Sequence, residues 1–282
     1  MRLLGRLTPA IVLIGLVLGG AGLARAGEAV EMTVSASEGP RILSAFFGLD
    51  EARRPGILCP GRDGMPVVFN RRIDQSTLDA ADFAIITAGG ETLTPDCATL
   101  RPAREKNESR TVLLIGQLGG QPAGDPPVRV EIVGSLKTAS EASNEGLELK
   151  GLSCRVTPLE AGPFLVYAEA IPAGEAAGDP NACRTEGMVQ TVKAVWAGGV
   201  RAASGRELSD RERLLFKVIL LGEDGAEIEV VPAALADLND RDNVIDLCLD
   251  QRGRPVKIVF PAGAVIDPRD DPNPETVLIL KP

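Results

Sequence analysis

The side chains able to do chemistry in this chain are of few kinds, because the sequence contains no histidine. That absence removes Ser-His-Asp and Cys-His nucleophile activation and every zinc site that needs an imidazole. Carboxylates remain in number, 39 Asp and Glu in all. A hydrolase built on two carboxylates is one chemistry open to them, but neither a glycine-rich phosphate loop nor an aromatic sugar platform accompanies any pair. Two stretches concentrate the acids. Asp237, Asp240 and Asp242 stand in DLNDRDN, and Asp267, Asp270 and Asp271 in DPRDDPNPE. Calcium takes six to eight oxygen ligands from loops of this composition, and oxygen donors without histidine or a thiolate cluster suit calcium or magnesium over zinc or copper. These six residues are therefore the candidate Ca2+ ligands, with ordinary Asp- and Asn-rich turns as the competing reading.

The five cysteines form no Cys-x-x-Cys pair, and in an exported chain they point to disulfides. Cys59–Cys97 and Cys183–Cys248 are the expected bridges, which leaves Cys154 over. Cys154–Cys183 is the alternative pairing.

Export is read from the first residues. Arg2 and Arg6 give a charged start, an uncharged apolar run follows from Ala10 to Leu18, and Ala24-Arg25-Ala26 supplies small residues at a cleavage position. Residues 1–26 are expected to be a signal peptide cut before Gly27, placing the mature chain in the periplasm or outside the cell without membrane insertion. Their removal takes away three arginines and no acid, so the formal charge of −9 becomes −12. An acidic surface excludes nucleic acid as a partner. The modest basic cluster Arg101, Arg104 and Lys106 runs into Glu105 and Glu108 and reads as a solvated loop.

The elements that must position these residues are short apolar segments separated by Gly, Pro, Asp and Asn, the pattern of many small strands. Val128, Val130 and Ile132 alternate with Arg129 and Glu131, and Val256, Ile258 and Phe260 alternate with Lys257, as strands with one buried face do. The chain also repeats itself. At an offset near 123 residues Gly39-Pro40 aligns with Gly162-Pro163, Ala45 with Ala168, Cys59 with Cys183, and Gly64-Met65 with Gly187-Met188. Further on, Phe69 meets Trp196 and Phe83 meets Phe216. One whole domain is therefore duplicated. The expected organisation is all-β, two tandem Ig-like antiparallel β-sandwich units over residues 27–136 and 147–282, joined by a polar linker over 137–146. The second copy is expected to open with a strand over 152–157, and helix is confined to a turn near 209–213 or 232–238.

The segment Val67-Val68-Phe69-Asn70, the turn Asp74-Gln75-Ser76-Thr77-Leu78 and the following Asp82-Phe83-Ala84-Ile85 resemble bacterial Ig-like domains of the S-layer type. The resemblance covers about 20 residues of the first copy and implies a fold, not a ligand. Together these features point to an exported, non-catalytic structural or protein-binding module of the cell envelope, with another envelope or surface protein as its partner. A calcium-dependent binding protein and a carboxylate-based hydrolase are the alternatives.

Overall fold

The computed structural model describes residues 29–35, 38–50, 63–103, 108–140, 145–172, 183, 187–238 and 242–282. The expected signal peptide, Cys59 and Asp240 lie outside these residues. The described chain is nearly all β. In its first part the strands are β1 (Val30–Ser35), β2 (Ile42–Phe46), β3 (Asp63–Phe69), β4 (Phe83–Thr87), β5 (Thr92–Leu93), β6 (Cys97–Thr99), β7 (Thr111–Gly116), β8 (Pro127–Ile132) and β9 (Ser153–Thr157). In its second part they are β10 (Leu165–Pro172), β11 (Gln190–Trp196), β12 (Arg201–Ala202), β13 (Lys217–Leu221), β14 (Glu227–Val230), β15 (Ala234–Ala236), β16 (Val244–Leu249), β17 (Arg254–Phe260), β18 (Val265–Ile266) and β19 (Thr276–Lys281). Among the described residues helix is limited to two 3-10 turns, Gln75–Thr77 and Ala80–Asp82, and one α-helical turn, α1 (Asp210–Arg213).

Strand pairing repeats along the chain. The order β5-β4-β8-β9-β2-β3-β7-β6 in the first part is matched by β14-β13-β17-β19-β1 and β10-β11-β16-β15 in the second. In both parts the last strand pairs in parallel with a strand that precedes it by far in sequence: β9 with β2, and β19 with β1. Two apolar clusters follow. One joins Phe69, Phe83, Val112, Val130 and Val156, and the other joins Trp196, Phe216, Val218, Leu247, Phe260 and Leu278, so in each part side chains of both groups of strands share one core.

Two placements differ from the boundary expected in the sequence. The segment 152–157, expected to open the second copy, is β9 and pairs with β8 and β2 of the first. Within the expected linker, Lys137 bridges to Glu148 and Thr138 to Ile73, which ties that segment to the first sheet. Polarity in a connecting segment does not report which sheet the segment pairs with. The N-terminal β1 leaves the first part altogether and completes the sheet of the second. Of the expected helical turns, Ser209 caps α1 through its side chain, whereas 232–238 contains β15.

The turn at 74–82 has a local cause. Asp74 accepts the amide of Ser76 at 2.9 Å, and Asp79 with Asp82 forms a capping box on the second 3-10 turn. Side-chain oxygens thereby satisfy the free amides that such turns begin with. The repeat-equivalent glycines have diverged in what they must do. A Cβ on Gly162 would collide with the carbonyl oxygen of Pro272, whereas nothing stands within 4 Å of one on Gly39. Gly162→Ala is therefore expected to destabilise the fold by about 1–3 kcal/mol, the usual cost of overpacking, and Gly39→Ala to be near neutral. Urea melts of the two variants check this, and equal midpoints would count against it.

Candidate functional site

Strand β11 carries a lysine inside an otherwise uncharged run, Thr191-Val192-Lys193-Ala194-Val195-Trp196. Val192, Ala194 and Trp196 enter the apolar core, so the period-two alternation of a strand puts Lys193 on the opposite face. Glu169 of β10 and Asp246 of β16 stand beside it in register, and Ala236 of β15 extends the row. Asp237 follows with φ at 59°, in the left-handed region that Asp tolerates better than most residues. This row of charge is covered by the Glu108-Ser109-Arg110 segment of the first part.

Lys193 and the three acids that surround its ammonium, Glu108, Asp237 and Asp246, are buried. Lys193 Nζ donates to Glu108 Oε1 at 2.7 Å and to Asp237 Oδ2 at 3.0 Å, and it lies 2.9 Å from Asp246 Oδ1. Side-chain exposure is 3% for Lys193, 0% for Glu108, 1% for Asp237 and 3% for Asp246. Burial pushes the Glu108 carboxyl up to about 11, reinforced by its hydrogen bond with Asp237 and opposed by the Lys193 charge, so Glu108 is the protonated acid of the group. Burial by itself would lower Lys193, but Asp246, Glu108 and Asp237 outweigh it and hold the ammonium above the ordinary lysine range.

Arg110 sits two residues from Glu108 and completes the contact. Its guanidinium donates to the carbonyl of Asn70 at 2.8 Å, pairs with Glu169 and lies 4.4 Å over the Tyr167 ring. Such stacking adds a cation–π attraction to the ion pair. Tyr167 donates its hydroxyl to Glu169 at 3.2 Å, and burial pushes the phenol up to about 12. Glu108 thus meets Lys193 while Arg110 meets Glu169, an alternation of charge matched between the two parts.

Of the six candidate calcium ligands, Asp240 lies outside the described residues, and the other five are engaged as follows. Asp237 belongs to the lysine cluster, and Asp242 raises the Glu108 carboxyl further by its charge while accepting the amide of Val244 at 2.7 Å. Asp267 accepts the amides of Arg269 and Asp271 at 2.8 and 2.9 Å, and its carboxyl is raised by burial. Asp270 pairs with Arg201 at 2.9 Å, and Asp271 stands 3.9 Å from Arg269. Among the described residues no group of three or more His, Cys, Asp or Glu is arranged to hold a metal ion. The cation beside Asp237 is the ammonium of Lys193.

A disulfide joins Cys183 to Cys248. Cys97 is disulfide-bonded, its expected partner Cys59 lying outside the described residues, and Cys154 is a free thiol that burial raises.

Sequence reading missed Lys193, Glu108 and Asp246. A signal existed for two of them: Lys193 and Asp246 each interrupt a strand that is otherwise apolar, and a charge there requires a partner. Glu108, expected in a solvated loop, is buried because the charged row gives it one. Its neighbours in sequence carry no sign of this.

Among the described residues no helix is long and apolar enough to cross a membrane. No protein-family model matches the chain, and no curated protein does. Among solved structures it is similar to domains 1–6 of the surface layer protein SbsC, at 13% identity over 87% of this chain and 26% of that one, with a TM-score of 0.31. It is also similar to the N-terminal part of the same bacterial S-layer protein, at 12% identity over 88% of this chain and 45% of that one, again with a TM-score of 0.31. The chain therefore spans less than half the length of the solved proteins it is compared with.

Proposed function

We propose that this protein is an exported, non-catalytic structural or protein-binding module of the cell envelope, built from two Ig-like sandwich units in tandem. The observation that carries the reading is where the reactive side chains are spent. Lys193, Glu108, Asp237 and Asp246 face one another in a buried contact between the two parts, and an enzyme needs such groups around a concave site that admits substrate. The Cys183–Cys248 disulfide suits an oxidising compartment, and the absence of histidine supports the same view. The partner on this reading is another envelope or surface protein.

Fractionation of bacteria expressing the full chain, with N-terminal sequencing of the product, tests the first half of the reading. The expected product lies in the periplasm or medium, begins at Gly27 and carries an oxidised Cys183–Cys248 pair. A cytoplasmic product that retains Met1 and reduced cysteines would overturn it. Crosslinking in intact envelopes tests the second half, and an exclusively monomeric, uncrosslinked band would count against a protein-binding role.

A further inference from the structure

We propose that Lys193 and Asp246 are the two ends of a self-formed side-chain amide, with Glu108 and Asp237 as the groups that move its protons. The inference rests on the geometry of the buried cluster and not on the envelope reading above.

An amine and a carboxyl condense only when they are held together, water is kept out and a proton relay is at hand. The cluster supplies all three. Lys193 and Asp246 are direct cross-strand partners on β11 and β16, so their side chains leave the sheet side by side on one face, with Nζ at 2.9 Å from Asp246 Oδ1. Holding reactants in such contact replaces a bimolecular encounter by an effectively unimolecular step. All four side chains are nearly inaccessible to solvent, which disfavours the reverse hydrolysis. Glu108 Oε1 at 2.7 Å and Asp237 Oδ2 at 3.0 Å touch the same Nζ, and Glu108 is the carboxyl kept protonated by its surroundings. A buried acid beside a carboxylate can both accept and return a proton.

The step balances without any co-reactant. Nζ gives up one proton to Asp237, and its lone pair adds to Cγ of Asp246. The new C–N bond forms as one C–O bond of Asp246 breaks. Of the three ammonium protons, two leave with that oxygen as one water molecule and one stays on the amide nitrogen. Asp237 and Glu108 relay the departing protons and finish as they began. The product exchanges a desolvated ion pair for a neutral amide, which removes part of the cost of holding opposite charges out of water. Asp246 is the assigned acceptor because Asp237 and Glu108 hydrogen-bond each other, which makes them the proton-handling pair, and because of the two acids that face Lys193 across a strand ladder Asp246 is the one 2.9 Å from Nζ, whereas Glu169 pairs with Arg110.

The experiment is mass spectrometry on the full chain, denatured and with its cysteines reduced, after its N-terminus has been read. The expected mass is lower than that of the sequence by one water. Trypsin should fail to cut after Lys193, and the peptides bearing Lys193 and Asp246 should emerge as one branched species. Lys193→Arg and Asp246→Ala should each restore the full mass. Glu108→Gln should remove the branched species while the tryptophan emission of the folded protein persists. A wild-type chain that is folded by that emission, yet keeps its full mass and is cut after Lys193, would overturn the proposal. So would a branch from Lys193 to Glu108 or Asp237. Because the decisive measurement is made on the unaltered chain, a variant that fails to fold does not rescue the idea.

Discussion

Lys193→Ala is expected to destabilise the protein by about 3–5 kcal/mol, the cost of removing one partner from a buried charge cluster. The substitution leaves Asp237, Asp246 and Glu108 facing one another without a cation, in a space that excludes water. Trp196 is fully buried and is the sole tryptophan of the chain, and it packs edge-on against Phe260 at 5.4 Å, so its emission reports a urea melt directly. A shift worth less than about 1 kcal/mol would mean that the cluster behaves like an exposed ion pair. Mass spectrometry of the starting protein shows whether an amide is lost along with the charge.

In the unaltered protein the pH dependence has a definite sign. Glu108 titrates near 4.5 when unfolded and about 11 when folded. Between those limits the folded chain binds the extra proton, so this group's contribution is fully present below the unfolded value and is lost as pH rises toward the folded one. Stability should fall from pH 5 to pH 9, with an upper slope of about 1.4 kcal/mol per pH unit for one proton. Asp237, Asp242, Asp246 and Lys193 face the group, so the measured slope belongs to the cluster as a whole. Glu108→Gln should flatten the curve, and an unchanged slope in that variant would assign it elsewhere.

Deleting the chain through Ser35 should have an effect of similar size. Strand β1 pairs residue for residue with β19 from Val30↔Thr276 to Ser35↔Lys281, and Val34 is buried in the core of the second part while Val30 and Met32 pack against it. Full burial of such a side chain is worth about 1.5–3 kcal/mol, so one buried and two half-buried residues suggest a loss of roughly 3–6 kcal/mol. The deletion also bares the β19 edge, a template for intermolecular pairing. The expected result is a lower urea midpoint with a Trp196 signal that reports the second part, accompanied by concentration-dependent association. Residues 147–282 expressed alone should fare worse, since they lack β1 and carry β9 without β8 and β2. A fragment that melts like the whole chain would show that the exchanged strands are dispensable.

Much of the fold was legible because its evidence is local. Alternation along Val128–Ile132 and Val256–Phe260 and turn residues at short intervals each depend on neighbours in the chain, and β8 and β17 stand where they indicated, although Val128, expected on the buried face, is exposed and Pro127 is buried instead. Asp74 stood in the turn marked by the family resemblance, but the two 3-10 turns that Asp74 and Asp79 cap were not among the expected helical segments. The chemistry of the cluster was readable only in part. The acids of 237–243 stood out by composition, and their density called for a nearby cation, for which calcium was the local candidate.

What the sequence by itself determined is the all-β class and the absence of imidazole chemistry, since each is a property of residue types and their spacing. Tertiary structure alone decided which strand completes which sheet and which charges meet. A parallel pair such as β1 with β19 has no connecting turn to mark it, and its partners stand almost a chain length apart. Lys193 finds Glu108 across 85 residues and Asp237 across 44. Strand periodicity says that Lys193 must leave the core, but only the packing of one part against the other says that it remains buried. The physical reason is that burial makes an ionic contact obligatory without leaving any pattern in the sequence around it.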